Sequence, residues 1–117
     1  MGKAHHKLGT ISTQLCWLFD GIIIGGGAEY VSDDEFKGEK PKDIDIIIPL
    51  HHWIKACKLI PKDAKVNSFG GFKFQDGEFE VDVWADDAMQ VLMESKSGGK
   101  LVAFSLKQNR VVYVGLD

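Results

Sequence analysis

Arginine is almost missing from this chain. Arg110 stands alone among 14 basic residues, which face 17 acidic ones for a formal net charge of −3. That balance excludes a protein that grips long nucleic acid with its own surface, where clustered Lys and Arg neutralise phosphates. Long apolar runs are missing too, so no segment reads as membrane-spanning. The opening residues MGKAHHKLGT lack an apolar signal core, which predicts a cytoplasmic protein with no membrane association. Cysteine is scarce. Cys16 and Cys57 both continue the apolar stripes of predicted helices, which favours buried reduced thiols over a disulfide or a metal pair. His51 and His52 have no Cys or His partner at zinc spacing, and the acids of segment 33–39 lack the spacing of a calcium loop.

What is present suits one domain spanning residues 1–117, with 44% hydrophobic residues. Leu8, Ile11, Leu15, Leu18 and Phe19 recur at three and four residues, predicting a helix over 10–20 with Thr10 or Ser12 as N-cap. The triplet Ile22, Ile23, Ile24 reads as a buried strand of the parallel kind. A second strand covers 43–48, and Pro49 opens a helix with Leu50, Trp53, Ile54, Cys57 and Ile60 on its apolar side. Segments 72–74 and 79–84 flank Asp76-Gly77, a hairpin signal. Asp86 or Asp87 caps a further helix through Met89, Leu92 and Met93, and strands over 100–106 and 110–116 close the chain. The fold class is α/β (α+β): a small mixed sheet of five or six strands with packed helices. Its expected core is Ile22, Ile23, Ile24, Ile44, Ile46, Val81 and Val83, facing Leu15, Leu18, Ile54 and Cys57.

The chemistry concentrates in GIIIGGGAEYVSDDEFKGEKPKDIDIIIP, residues 21–49. On a strand, residues i and i+2 share a face, so Asp43 and Asp45 stand side by side while Ile44, Ile46 and Ile48 point the other way. Paired carboxylates at a strand's edge are a divalent-metal candidate. Gly25, Gly26 and Gly27 lack Cβ atoms and let backbone N–H groups approach an anion. Farther on, Glu80 and Asp82 alternate with Phe79, Val81 and Val83; polar-out alternation is ordinary in a sheet. If that strand lies beside the first acidic one, however, three carboxylates converge and a cation is needed to offset their repulsion.

The order strand, Gly-Gly, insert, Lys-Asp-Ile-Asp-Ile, then an isolated strand acid resembles the nucleotidyltransferase superfamily that includes DNA polymerase beta. The likeness is closest to the head domain of CCA-adding enzymes and bacterial poly(A) polymerases. Gly38-Glu39-Lys40-Pro41-Lys42-Asp43-Ile44-Asp45 matches the second half of that motif, and the first half matches in its glycines. The resemblance spans about residues 21–84. It implies a minimal nucleotidyltransferase fold moving a nucleotidyl group from a nucleoside triphosphate to a hydroxyl. Asp43, Asp45 and Asp82 would be catalytic and would bind Mg²⁺ or Mn²⁺; the glycine turn would cradle the triphosphate, and Tyr30 would stack on base or ribose. Where the motif has an arginine, this chain has Glu29 or Tyr30, with Lys40 or Lys42 as the substitute charge. The acceptor is open among RNA, a protein and a small-molecule hydroxyl, as is self-association or a protein partner. Two other classes compete: a non-catalytic interaction protein keeping the fold, and a magnesium-dependent phosphohydrolase.

Overall fold

The computed structural model describes residues 7–87 and 102–114. In chain order the elements are α1 (Thr10–Leu18), β1 (Ile22–Ile24), α2 (Gly26–Ser32), β2 (Asp43–Pro49), a helical stretch, β3 (Lys65–Val66), β4 (Phe72–Asp76), β5 (Phe79–Asp86), β6 (Val102–Ser105) and β7 (Arg110–Val114). The helical stretch has α3 (Trp53–Ala56) at its centre, between single 3₁₀ turns at Leu50–His52 and Cys57–Leu59. The expected helix beginning at Asp86 or Asp87, with Met89, Leu92 and Met93, lies outside the described residues.

One mixed sheet carries all seven described strands in the order β3-β4-β5-β2-β1-β6-β7. Only β2 and β5 run parallel; every other neighbouring pair is antiparallel. The isoleucine strand β1 is interior, as its composition predicts, but it is antiparallel to both neighbours rather than parallel. Between β2 and β5 the chain passes through α3 and β3–β4, a long crossover of the sort that parallel strands require.

Alternation sorts the sheet into two unlike faces. Ile23, Ile44, Ile46, Ile48, Phe74, Phe79, Val81, Val83 and Phe104 join Leu15 and Cys16 of α1, Ala28 and Val31 of α2 and Ala56 of α3 in one buried cluster. The three helices therefore cover one face. Asp43, Asp45, Glu80 and Asp82 alternate onto the other. That second face is covered in part by the turn before β4, whose Phe69 stacks on Trp84 with ring centroids 4.6 Å apart.

The helices depart from expectation in their facing residues. Leu18 is 61% exposed and Ile54 is 82% exposed, so neither faces the sheet. Leu15 faces the core as expected, while Cys16 and Ala56 take the other places, because a small residue lets the short helices lie close to a sheet of β-branched side chains. Ile22 and Ile24 point to the acidic face and are half-buried, as is Cys57. Pro49 is both the last residue of β2 and the N-cap of the helical stretch, whose first turn is 3₁₀ rather than α.

The cap of α1 also differs. Its N-cap is Gly9, which has no side chain to offer, and Ser12 is buried with no partner for its hydroxyl among the described residues. The capping oxygens come instead from Asp76 on β4: Ser12 N–H donates to Oδ2 at 2.7 Å and Ile11 N–H to Oδ1 at 3.3 Å. Asp76 itself ends its strand, and the hairpin loop is Gly77-Glu78, with Gly77 at φ +66° as a two-residue turn requires.

Candidate carboxylate site

Five strands contribute to one line of register partners across the sheet: Lys73 on β4, Asp82 on β5, Asp45 on β2, Ile24 on β1 and Ala103 on β6. Neighbouring strands lie roughly 4.8 Å apart, so Asp82 and Asp45 are adjacent on the same face. The next line holds Gln75, Glu80 and Asp43. Asp43 is exposed at the start of β2, Asp45 is half-buried and Asp82 is 9% exposed.

The electrostatics follow from that packing. Burial, and then the nearby charges of Asp82 and Asp43, hold the Asp45 carboxyl above its ordinary value, with Lys73 acting in the opposite direction. Asp82 is held on both oxygens. Asn67 Nδ2 donates to Oδ1 at 3.1 Å, and the Lys73 ammonium lies 3.5 Å from Oδ2 and 3.1 Å from Glu80 Oε1. Hydrogen bonding to Glu80, and then the charge of Asp82, raise the Lys73 ammonium above its usual range.

Asn67 is fixed in turn. Its Oδ1 accepts from the N–H groups of Phe69 at 3.0 Å and Gly71 at 2.8 Å, while Nδ2 also donates to the carbonyl of Phe72 at 3.2 Å. Gly71 allows this turn to lie against β5, since a Cβ there would stand 1.9 Å from the carbonyl oxygen of Val83. Sequence reasoning missed both Asn67 and Lys73. For Lys73 a signal existed: once Gly77-Glu78 is the hairpin loop, counting back along both strands pairs Lys73 with Asp82.

The three glycines divide their work. Gly25 takes φ +71°, which favours glycine, and its N–H is bound to the carbonyl of Val102 at 3.0 Å. A Cβ at Gly25 or Gly26 would meet nothing within 4 Å, so this side of the turn is open. Gly27 is a packing residue: its Cβ would stand 3.0 Å from Ile44 Cδ1. The amides of Gly26 and Gly27 have no partner among the described residues, because α2 first closes with Ala28 and Glu29 donating to the carbonyl of Gly25. Since Ile24 belongs to the line of Asp45 and Asp82, the turn begins one residue from the carboxylates.

Other expected participants lie elsewhere. Tyr30 packs edge-on to Phe36 at 5.3 Å and Phe79 at 5.8 Å, against the helix-covered face and away from the carboxylates. Lys40 pairs with Glu78 at the hairpin turn. Lys42 is exposed and forms no ion pair among the described residues, and Glu29 is exposed in the first turn of α2.

Among the described residues, no group of three His, Cys, Asp or Glu side chains is arranged as a metal cage. Mg²⁺ does not require one. It characteristically takes one or two carboxylates and completes its octahedron with water and substrate phosphates. Hard carboxylate oxygens on Asp45, with Asp43 two residues away and Asp82 alongside, fit that habit. No protein-family profile, curated protein or solved structure matches this chain.

Proposed function

We propose that this chain is a metal-dependent nucleotidyltransferase that moves a nucleotidyl group from a nucleoside triphosphate to a hydroxyl acceptor, the hydroxyl oxygen bonding to the α-phosphorus as the bond to the β-phosphate breaks and pyrophosphate leaves. The observation that supports it is the register line itself: Asp45 and Asp82 are neighbours across the one parallel strand pair, and β1 delivers the glycine turn from the same line. Asp43 and Asp45 would hold Mg²⁺ or Mn²⁺ through their oxygens. The ion, when bound, screens the phosphate charge and polarises the reacting phosphoryl group. Asp82, held in place by Asn67, would orient the acceptor hydroxyl and receive its proton. The free amides of Gly26 and Gly27 would bind triphosphate oxygens. Tyr30 has no part in the mechanism, since its ring is committed to packing.

Glu29 favours a second reading, a nucleotidyltransferase-fold interaction protein without nucleotide grip, because it stands exposed at the mouth of the turn where a cation suits a triphosphate. Hydrogen exchange separates the two. With nucleoside triphosphate and Mg²⁺, the amides of Gly26 and Gly27 gain protection in the wild type, and Glu29→Arg strengthens the effect. Asp45→Asn abolishes it. Absence of triphosphate-dependent protection in both wild type and Glu29→Arg refutes the nucleotide reading. Protection without product from any hydroxyl acceptor identifies a nucleotide-binding module.

A further inference from the structure

Among the described residues Lys73 is the cation that touches Glu80 and Asp82, and its place in the sheet is set by register, with Lys65 of β3 as its partner on the other side. The hairpin register places it directly across from Asp82, and its ammonium reaches Glu80 at 3.1 Å and Asp82 at 3.5 Å. Asp82 is 9% exposed while the Lys73 side chain is 42% exposed, so the carboxylate is sheltered and the ammonium that covers it is free to move into solvent. The other Asp82 oxygen is taken by Asn67 at 3.1 Å. An ion approaching Asp82 thus meets a carboxylate whose two oxygens already have donors.

We propose that Lys73 is a resident counter-cation that occupies the cation position at Asp82 and keeps divalent ions off that carboxylate until its side chain swings away. The inference rests on the metal-dependent reading above and deepens it: the Asp43 and Asp45 end is open to an ion in the free protein, and the Asp82 end is closed by Lys73. The side chain has somewhere to go. A groove of about 430 Å³ runs beside Lys73 and Glu80, lined also by Pro61, Asp63, Lys65 and Gln75. Asp63 offers the displaced ammonium a carboxylate at the groove's edge. Order of loading follows from this arrangement: the ion at Asp45 comes first, and engagement of Asp82 waits on an event that draws Lys73 outward. Lys73 acts here as a positioning residue.

The test is Mn²⁺ titration followed by electron paramagnetic resonance on the full chain, in wild type, Lys73→Met, Lys73→Arg and Lys73→Met/Asp82→Asn. A dication 4 Å from a fixed ammonium is disfavoured by about thirtyfold even with bulk-water screening, so release of that repulsion is measurable. Lys73→Met is expected to tighten Mn²⁺ binding at least tenfold. Lys73→Arg is expected to match wild type, and adding Asp82→Asn is expected to cancel the gain. A Lys73 that acts only through its charge on Asp45 predicts instead that Lys73→Met tightens Mn²⁺ by the same factor whether or not Asp82→Asn is present, and that outcome overturns the inference. If wild type binds Mn²⁺ through Asp45 and Lys73→Met binds it no better, the counter-cation inference is overturned while the metal reading stands. If no variant binds Mn²⁺ at millimolar concentration, both are overturned. Should Lys73→Met not fold, Lys73→Gln carries the same comparison, since it also removes the charge.

Discussion

Asp76 caps a helix whose Ser12 amide lies 64 residues earlier in the chain, and that contact makes the firmest stability prediction. Its carboxylate is 6% exposed and receives the second and third N–H groups of α1, donors that have no partner inside a helix. A negative charge at a helix N-terminus adds to the effect. Loss of an ordinary N-cap costs about 0.5 to 2 kcal/mol, and each buried donor left unpaired adds about 1 to 3 kcal/mol, partly recovered by water. Asp76→Ala is therefore expected to cost about 2 to 4 kcal/mol. Asp76→Asn keeps one acceptor oxygen and should cost about 1 kcal/mol.

Gly9 sits directly against this cap. Its φ of −72° suits any residue, yet a Cβ there would stand 2.3 Å from the Asp76 carboxyl carbon. Gly9→Ala should destabilise by roughly 1 to 3 kcal/mol because the cap is pushed off its donors. The two penalties share one cause, so they do not add: in the Asp76→Ala background Gly9→Ala should cost less than about 0.5 kcal/mol. Urea unfolding of wild type, the two single variants and the double completes the cycle. Additive costs, or an Asp76→Ala variant as stable as wild type, would refute the account.

Two further outcomes are expected. The Asp45 carboxyl has a raised value in the folded state, so the native protein holds more protons than the unfolded chain between the ordinary carboxylate value and that raised one. Its contribution then becomes more favourable as pH falls from neutral through the raised value. Asp45→Asn should melt higher than wild type near neutral pH without metal and lose that part of the pH dependence; thermal melts across the acidic range check both, and an unchanged profile counts against the carboxylate crowding. The second concerns thiols. Burial pushes Cys16 up to about 12, whereas Cys57 is half-buried and raised less, so native alkylation followed by peptide mass mapping should label Cys57 well before Cys16. Equal labelling rates would contradict the packing of α1.

Alternation was the legible part of this sequence. Ile44, Ile46, Val81 and Val83 are all fully buried, and the acids between them lie on the opposite face, because a period of two admits no other division. Helix facing was less legible. Leu18 and Ile54 satisfy a helical period, but α1 is nine residues long and the stretch around α3 is broken by 3₁₀ turns, so the ideal period does not persist far enough to place them. The cap from Asp76 could not be read locally at all. It depends on β4 returning beneath the start of α1.

The pairing of Asp45 with Asp82 lies between those extremes. A connection long enough to hold a helix predicts a parallel pair, and the isoleucine and valine positions fix the parity of its register, since a slip of one residue would drive Asp43 and Asp45 into the core. Parity alone leaves slips of two residues open. Each such slip still sets an acid against an acid: Asp45 would face Glu80, or Asp43 would face Asp82. Carboxylate crowding is thus written into the two strand sequences, whatever the offset. Lys73 is different. A two-residue loop joins β4 to β5 and fixes their register outright, so Lys73 follows Asp82 wherever β5 settles against β2. The β4–β5 hairpin carries Glu80, Asp82 and their counter-cation together and brings all three to Asp43 and Asp45 of β2 at once, and this is why the cation is best understood as part of the site.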